Sequence, residues 1–118
     1  MIDRPHKHSR QYHNKLVRDR IPQIIADSGN TYEVIDLDES EFLRALKDKL
    51  VEEAQEVRQA DPDELVTELA DLYEVIDTLI EKYNLSAQQI KAAQEKRRRE
   101  RGAFEEKIYL LWTENNNG

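Results

Sequence analysis

The sequence predicts a mainly α-helical protein, a helical bundle built on an antiparallel helix hairpin, with a small two-stranded β element beside it. Three observations carry this. Between Glu39 and Ala60, the apolar residues Phe42, Leu43, Leu46, Leu50, Ala54 and Val57 share one face when spaced at about 100° per residue. Between Leu65 and Tyr83, the residues Leu65, Val66, Leu69, Leu72, Tyr73, Val75, Ile76, Leu79 and Ile80 cover well over half of a helix circumference. Separating the two is Asp61-Pro62-Asp63-Glu64, which can end one helix and begin the next. Its Pro suits the first helical position, and the acids three apart make a capping-box-like pair.

In chain order, residues 1–11 read as a flexible polar arm, and His6, His8 and His13 near this end have no supporting shell that would make them a metal site. Pro22 marks the start of a short helix with Ile21, Ile24 and Ile25 on one face, and Ser28-Gly29-Asn30 stops it. Thr31 to Leu37 alternates apolar and polar residues and is expected as a short strand. The first long helix follows from about Glu39, capped by Asp38 or Ser40 with Glu41 in its first turn. The second long helix runs to about Tyr83, where Asn84 can stop it. A third spans Ala87 to about Arg101, with Ser86 as its cap and Gly102 as its terminator. Lys107 to Thr113 is expected as the second strand, pairing with Thr31 to Leu37, before a frayed tail at 114–118. Residues 12–113 thus read as one domain without repeats.

At 118 residues the chain can build one core, though a small one, so self-association is a reasonable expectation. A second helix this apolar needs cover on two sides, which one hairpin cannot give it, and this places that helix in a homo-oligomer interface. With no cysteine, disulfides and thiolate zinc sites are excluded. The polar N-terminus has no apolar leader core, and no apolar run approaches membrane-spanning length, so a cytoplasmic protein is expected.

Net charge is −7, and its distribution is more informative than the sum. Glu33 to Asp77 holds sixteen acidic residues against four basic ones, whereas Met1 to Arg20 holds six basic and two acidic residues. The last helix is basic again through Lys91, Lys96, Arg97, Arg98, Arg99 and Arg101. An acidic middle between basic flanks is what a metal site holding a polyphosphate would need, the metal answering the carboxylates and Lys or Arg the phosphates; the alternative, usual for charge runs, is a set of solvated faces.

Within the acidic middle, Glu53 lies inside the apolar arc of the first long helix, Glu56 at its edge, and Glu52 farther toward solvent. Glu68 lies between Val75 and Leu79 on the second helix, with Asp71 just beyond. Residues i and i+3 project from one side of a helix, so Glu53 with Glu56 and Glu68 with Asp71 form two pincers of oxygen donors. On facing helices they make a cup suited to a hard cation, Mg²⁺ or Mn²⁺. Carboxylates at the edge of an apolar core lose hydration and repel one another, and a cation offsets both costs. For a single Glu-x-x-Glu the alternative is a solvated helix face. Asp77 also falls among apolar positions, as a further ligand or the partner of a basic group from another subunit.

The set Glu52-Glu53-x-x-Glu56 and Glu68-x-x-Asp71 resembles the signature of the all-α nucleoside triphosphate pyrophosphohydrolase superfamily, the MazG and phosphoribosyl-ATP pyrophosphohydrolase group. The segment Tyr12 to Pro22, with Lys96 and Arg101-Gly102-Ala103-Phe104, resembles its branch of house-cleaning enzymes for noncanonical nucleotides. The similarity extends over roughly Tyr12 to Leu111. The resemblance implies Mg²⁺-dependent hydrolysis of a nucleoside triphosphate between the α and β phosphates, by a helical bundle of two or four chains. It assigns Glu53, Glu56, Glu68 and Asp71 as metal ligands and Glu52 as the residue that holds another ion or orients the attacking water. Lys15, Arg18, Arg20, Lys96, Arg97 and Arg101 are then the candidates to meet the triphosphate, with local salt bridging as their alternative. Tyr12, Tyr32, Tyr73, Tyr83, Phe104 and Trp112 are the aromatic residues available to stack on a base.

Three rivals stand beside this expectation. The dedicated phosphoribosyl-ATP enzyme of histidine biosynthesis shares the acidic signature, but the basic arm and basic last helix differ from what it would carry. A non-enzymatic helical oligomerisation module would need no metal and would place its carboxylates outside the apolar arcs. Nucleic-acid binding through Lys96 to Arg101 is opposed by the net charge, which repels a polyanion at long range.

Overall fold

A computed structural model describes residues 9–116. It contains four α-helices, α1 (Ile21–Asp27), α2 (Glu39–Gln59), α3 (Leu65–Lys82) and α4 (Ala87–Arg101), with a short 3-10 turn at Pro62–Glu64. The chain divides into two compact units, Met1–Tyr83 and Asn84–Gly118. The first contains α1 and the α2/α3 hairpin, and the second contains α4.

Local chemistry explains where each helix starts. Asp38 accepts a hydrogen bond from the Glu41 N–H (2.8 Å), and the Glu41 carboxylate accepts one from the Asp38 N–H (3.1 Å). This reciprocal pair satisfies donors that the first turn of α2 leaves without helical partners. At the turn into α3, the Asp61 N–H donates to the Glu64 carboxylate (3.0 Å), and Pro62 occupies the first position of the 3-10 turn. Ser86 caps α4 by accepting from the Gln89 N–H at 3.2 Å. Helix ends are equally local: Asn84 follows α3 with φ +54°, and Gly102 follows α4 with φ +83°, a left-handed conformation natural to glycine.

Helices α2 and α3 pack against each other as an antiparallel pair. Their seam is thin, and among the described residues only Leu46 and Val75 are buried. Phe42, Leu43, Leu50, Val57, Leu65, Leu72, Leu79 and Ile80 are half-buried along the same seam, whereas Ala54, expected on it, is exposed. The far side of α3 keeps its apolar residues in the open: Val66 is 79% exposed and Tyr73 65%, with Leu69 and Ile76 also exposed. Two helices can cover only one stripe of each other, so a helix apolar over most of its circumference retains an uncovered stripe.

Neither expected strand forms, and no strand occurs among the described residues. Thr31 to Leu37 and Lys107 to Thr113 are irregular, with Ile35 78% and Ile108 81% exposed. Alternation alone does not make a strand. A two-stranded ribbon is marginal in water unless a sheet or helix covers one face, and these side chains have no such cover. Lys107 also takes φ +60°, which breaks the extended run at its first residue. In the second unit every residue of α4 is exposed. No helix among the described residues is long and apolar enough to cross a membrane.

Candidate metal centre

The hairpin brings Glu53 of α2 to Glu68 and Asp71 of α3, one turn apart on the same side of their helix. One carboxylate oxygen from each lies within 4.8 Å of the others. All three residues are half-buried, and the Glu53 side chain is 13% exposed against 36% for Asp71. Glu68 responds to both its enclosure and the charge gathered around it. Loss of hydration first, then the neighbouring Glu56, Asp71, Glu53 and Glu64 carboxylates, raise its pKa above 4.5.

Basic side chains close the rim. Lys49, three and four positions before Glu52 and Glu53 and so about one helical turn away on the same side of α2, approaches Glu52 at 3.0 Å and Glu53 at 3.5 Å. From the segment before α1, Lys15 reaches Glu52 (3.0 Å) and Arg18 reaches Asp71 (2.8 Å). That segment therefore straps both helices, one basic residue to each, and leaves a small hollow against α2 lined in part by Asn14, Lys15, Lys49 and Glu52. Burial alone would raise the Glu52 pKa. Hydrogen bonds from Lys15 and Lys49, with their charges, outweigh it and hold this carboxyl below its ordinary value.

The other sequence candidates are placed as follows. Glu56 is exposed and outside the close trio, near enough to act on Glu68 through charge. Arg20 is the exposed N-cap of α1. Lys96, Arg97 and Arg101 are exposed on α4, in the second unit. Asp77 and His13 are exposed and outside the trio, while His6 and His8 lie outside the described residues. Lys49 was not among the sequence candidates for the site. Its i+3 and i+4 spacing to Glu52 and Glu53 is the signal that could have found it. A second acidic group, Asp61, Asp63 and Glu64, is fully exposed and part of the turn into α3, where Glu64 already serves as a backbone cap.

Chemically, the trio is an all-oxygen donor set with no thiolate or imidazole, which suits a hard divalent cation. Mg²⁺ needs donors at about 2.0–2.1 Å in octahedral order and keeps several waters.

No family model and no solved structure matches this chain. An uncharacterized protein of Mycolicibacterium smegmatis is similar to part of it, 49% identical over 47 residues. The match takes in 40% of this chain and 48% of that relative, so the chain spans about half the length of the curated protein it matches.

Proposed function

We propose that this protein is a Mg²⁺-dependent nucleoside triphosphate pyrophosphohydrolase that cleaves a nucleoside triphosphate, or a noncanonical one, to the monophosphate and pyrophosphate. The observation that carries the reading is the convergence of Glu53, Glu68 and Asp71 oxygens from two helices within 4.8 Å, in the order and spacing of the acidic signature. Mg²⁺, or Mn²⁺ in its place, would withdraw electron density from the phosphate oxygens and lower the pKa of a coordinated water.

Glu53, Glu68 and Asp71 hold that ion, and Glu56 adds negative charge at the edge of the cup. Lys15 and Arg18, already at the rim, offer cations to the phosphates. Glu52 is a weak base because two lysines stabilise its charged form, so its part is to orient the attacking water by hydrogen bonding. The open stripe of α3 supports assembly of two or four copies, which would cover Val66, Leu69, Tyr73 and Ile76.

A panel of canonical and damaged nucleoside triphosphates assayed for pyrophosphate release tests the reading. Release that requires Mg²⁺ and stops with a chelator is the expected result. Absence of release from every member at saturating Mg²⁺ contradicts it. The same open stripe favours the second reading, a non-enzymatic oligomerisation module, which predicts assembly indifferent to Mg²⁺ and no hydrolysis.

A further inference from the structure

We propose that Arg18 is a displaceable counter-ion of the acidic cup, occupying Asp71 when no divalent cation is bound and giving up that carboxylate when one binds. The inference rests on the metal-centre reading above and adds to it a competition between the protein's own cation and the ion.

Geometry makes the competition direct. Arg18 lies 2.8 Å from an oxygen of Asp71, one of the three residues whose oxygens converge. The guanidinium at that distance draws charge from the Asp71 carboxylate a divalent cation would also use, and a +1 and a +2 charge a few ångströms apart repel. Lys15 differs: it binds Glu52, outside the converging trio. The Arg18 side chain is 56% exposed and sits in irregular chain before α1, so it can swing away without disturbing a helix. Once released, the guanidinium stands at the rim of the cup, where a phosphate held by the ion would lie. One residue thus pairs with Asp71 before binding and with the substrate after it.

The balance of charge supports exchange over a fixed clamp. Glu53, Glu68 and Asp71 together are more than one arginine and the shared Lys49 can neutralise, and Glu68 has no basic partner among the described ion pairs. A divalent cation has more to gain from all three oxygens than the guanidinium has from one.

The test measures Mn²⁺ binding by electron paramagnetic resonance, and thermal unfolding in chelator and in excess Mg²⁺, for the wild type, R18A, R18K and K15A. Exchange predicts that R18A binds Mn²⁺ about tenfold more tightly, from removal of one nearby positive charge, while R18K stays near the wild type and K15A shifts less than R18A. It also predicts that R18A lowers the unfolding temperature in chelator and loses that deficit in Mg²⁺. An R18A protein with unchanged or weaker Mn²⁺ affinity, or with the same thermal deficit in both conditions, overturns the exchange while leaving the metal centre standing. A wild-type protein that binds no Mn²⁺ overturns both, and that outcome is distinct from the others.

Discussion

At the scale of single residues, the cup is a place where charge has been concentrated at some cost to the fold. Glu68 has a raised pKa in the folded state, so the folded protein binds its proton more readily than the unfolded chain does. Its contribution therefore becomes less favourable as pH rises from 4.5 through the raised value, and at neutral pH without metal the charged form is a burden. Glu52 has the opposite sign: its lowered pKa contributes stability above 4.5 that is lost as pH falls through the folded value. E68Q is expected to raise the unfolding temperature in chelator at pH 7, to lose that advantage near pH 4, and to weaken Mn²⁺ binding. A Glu68 variant less stable than the wild type at pH 7 in chelator would show that the repulsion is not felt. E53Q and D71N keep side-chain shape while removing ligand charge, and each is expected to reduce Mg²⁺-dependent pyrophosphate release by at least ~100-fold, as measured by initial rates.

The residue scale is also where sequence reading reached its limit. The acidic spacing was visible because i and i+3 on a helix is a local property. The strap was not, because Lys15 meets Glu52 and Arg18 meets Asp71 across 37 and 53 positions. From sequence alone those basic residues are candidates to meet phosphate with salt bridging as the alternative, and only tertiary approach shows which carboxylates they face.

Among the elements, what was legible follows how far each signal reaches. Asp38 with Glu41, Pro62 with Glu64, Ser86 and Gly102 all act within one turn, and the helix boundaries expected from them agree with the structure to within a few residues. The strands failed because a strand is completed by a partner and a covering face, which alternation in Thr31 to Leu37 cannot supply. D38A removes the side-chain half of the capping box on α2 and should cost about 1 kcal/mol in denaturant unfolding. L46A empties one of the two buried positions of the seam and should cost about 2–5 kcal/mol. Because the cup is built from both helices, L46A should also weaken Mn²⁺ binding, whereas D38A, at the far end of α2 from Glu53, should leave it unchanged.

For the whole molecule, the thin seam is the dominant fact. A hairpin with so little buried side-chain volume is poorly stabilised alone, and the uncovered stripe of α3 supplies the apolar surface that association would bury. The breadth of the apolar arc on α3 is legible in the sequence, but not which of its residues stay uncovered. Val66→Glu combined with Tyr73→Glu places charge on the most exposed part of the stripe, and sedimentation is expected to show a smaller species than the wild type at equal concentration. If both proteins sediment alike, the stripe does not mediate assembly.

The central claim is that Glu53, Glu68 and Asp71 together hold a divalent cation, and anomalous scattering from a crystal soaked in Mn²⁺ tests it most directly. The predicted result is one strong peak within about 2.2 Å of an oxygen from each of the three residues. Anomalous density confined to other carboxylates, or none at the trio at saturating Mn²⁺, would contradict it.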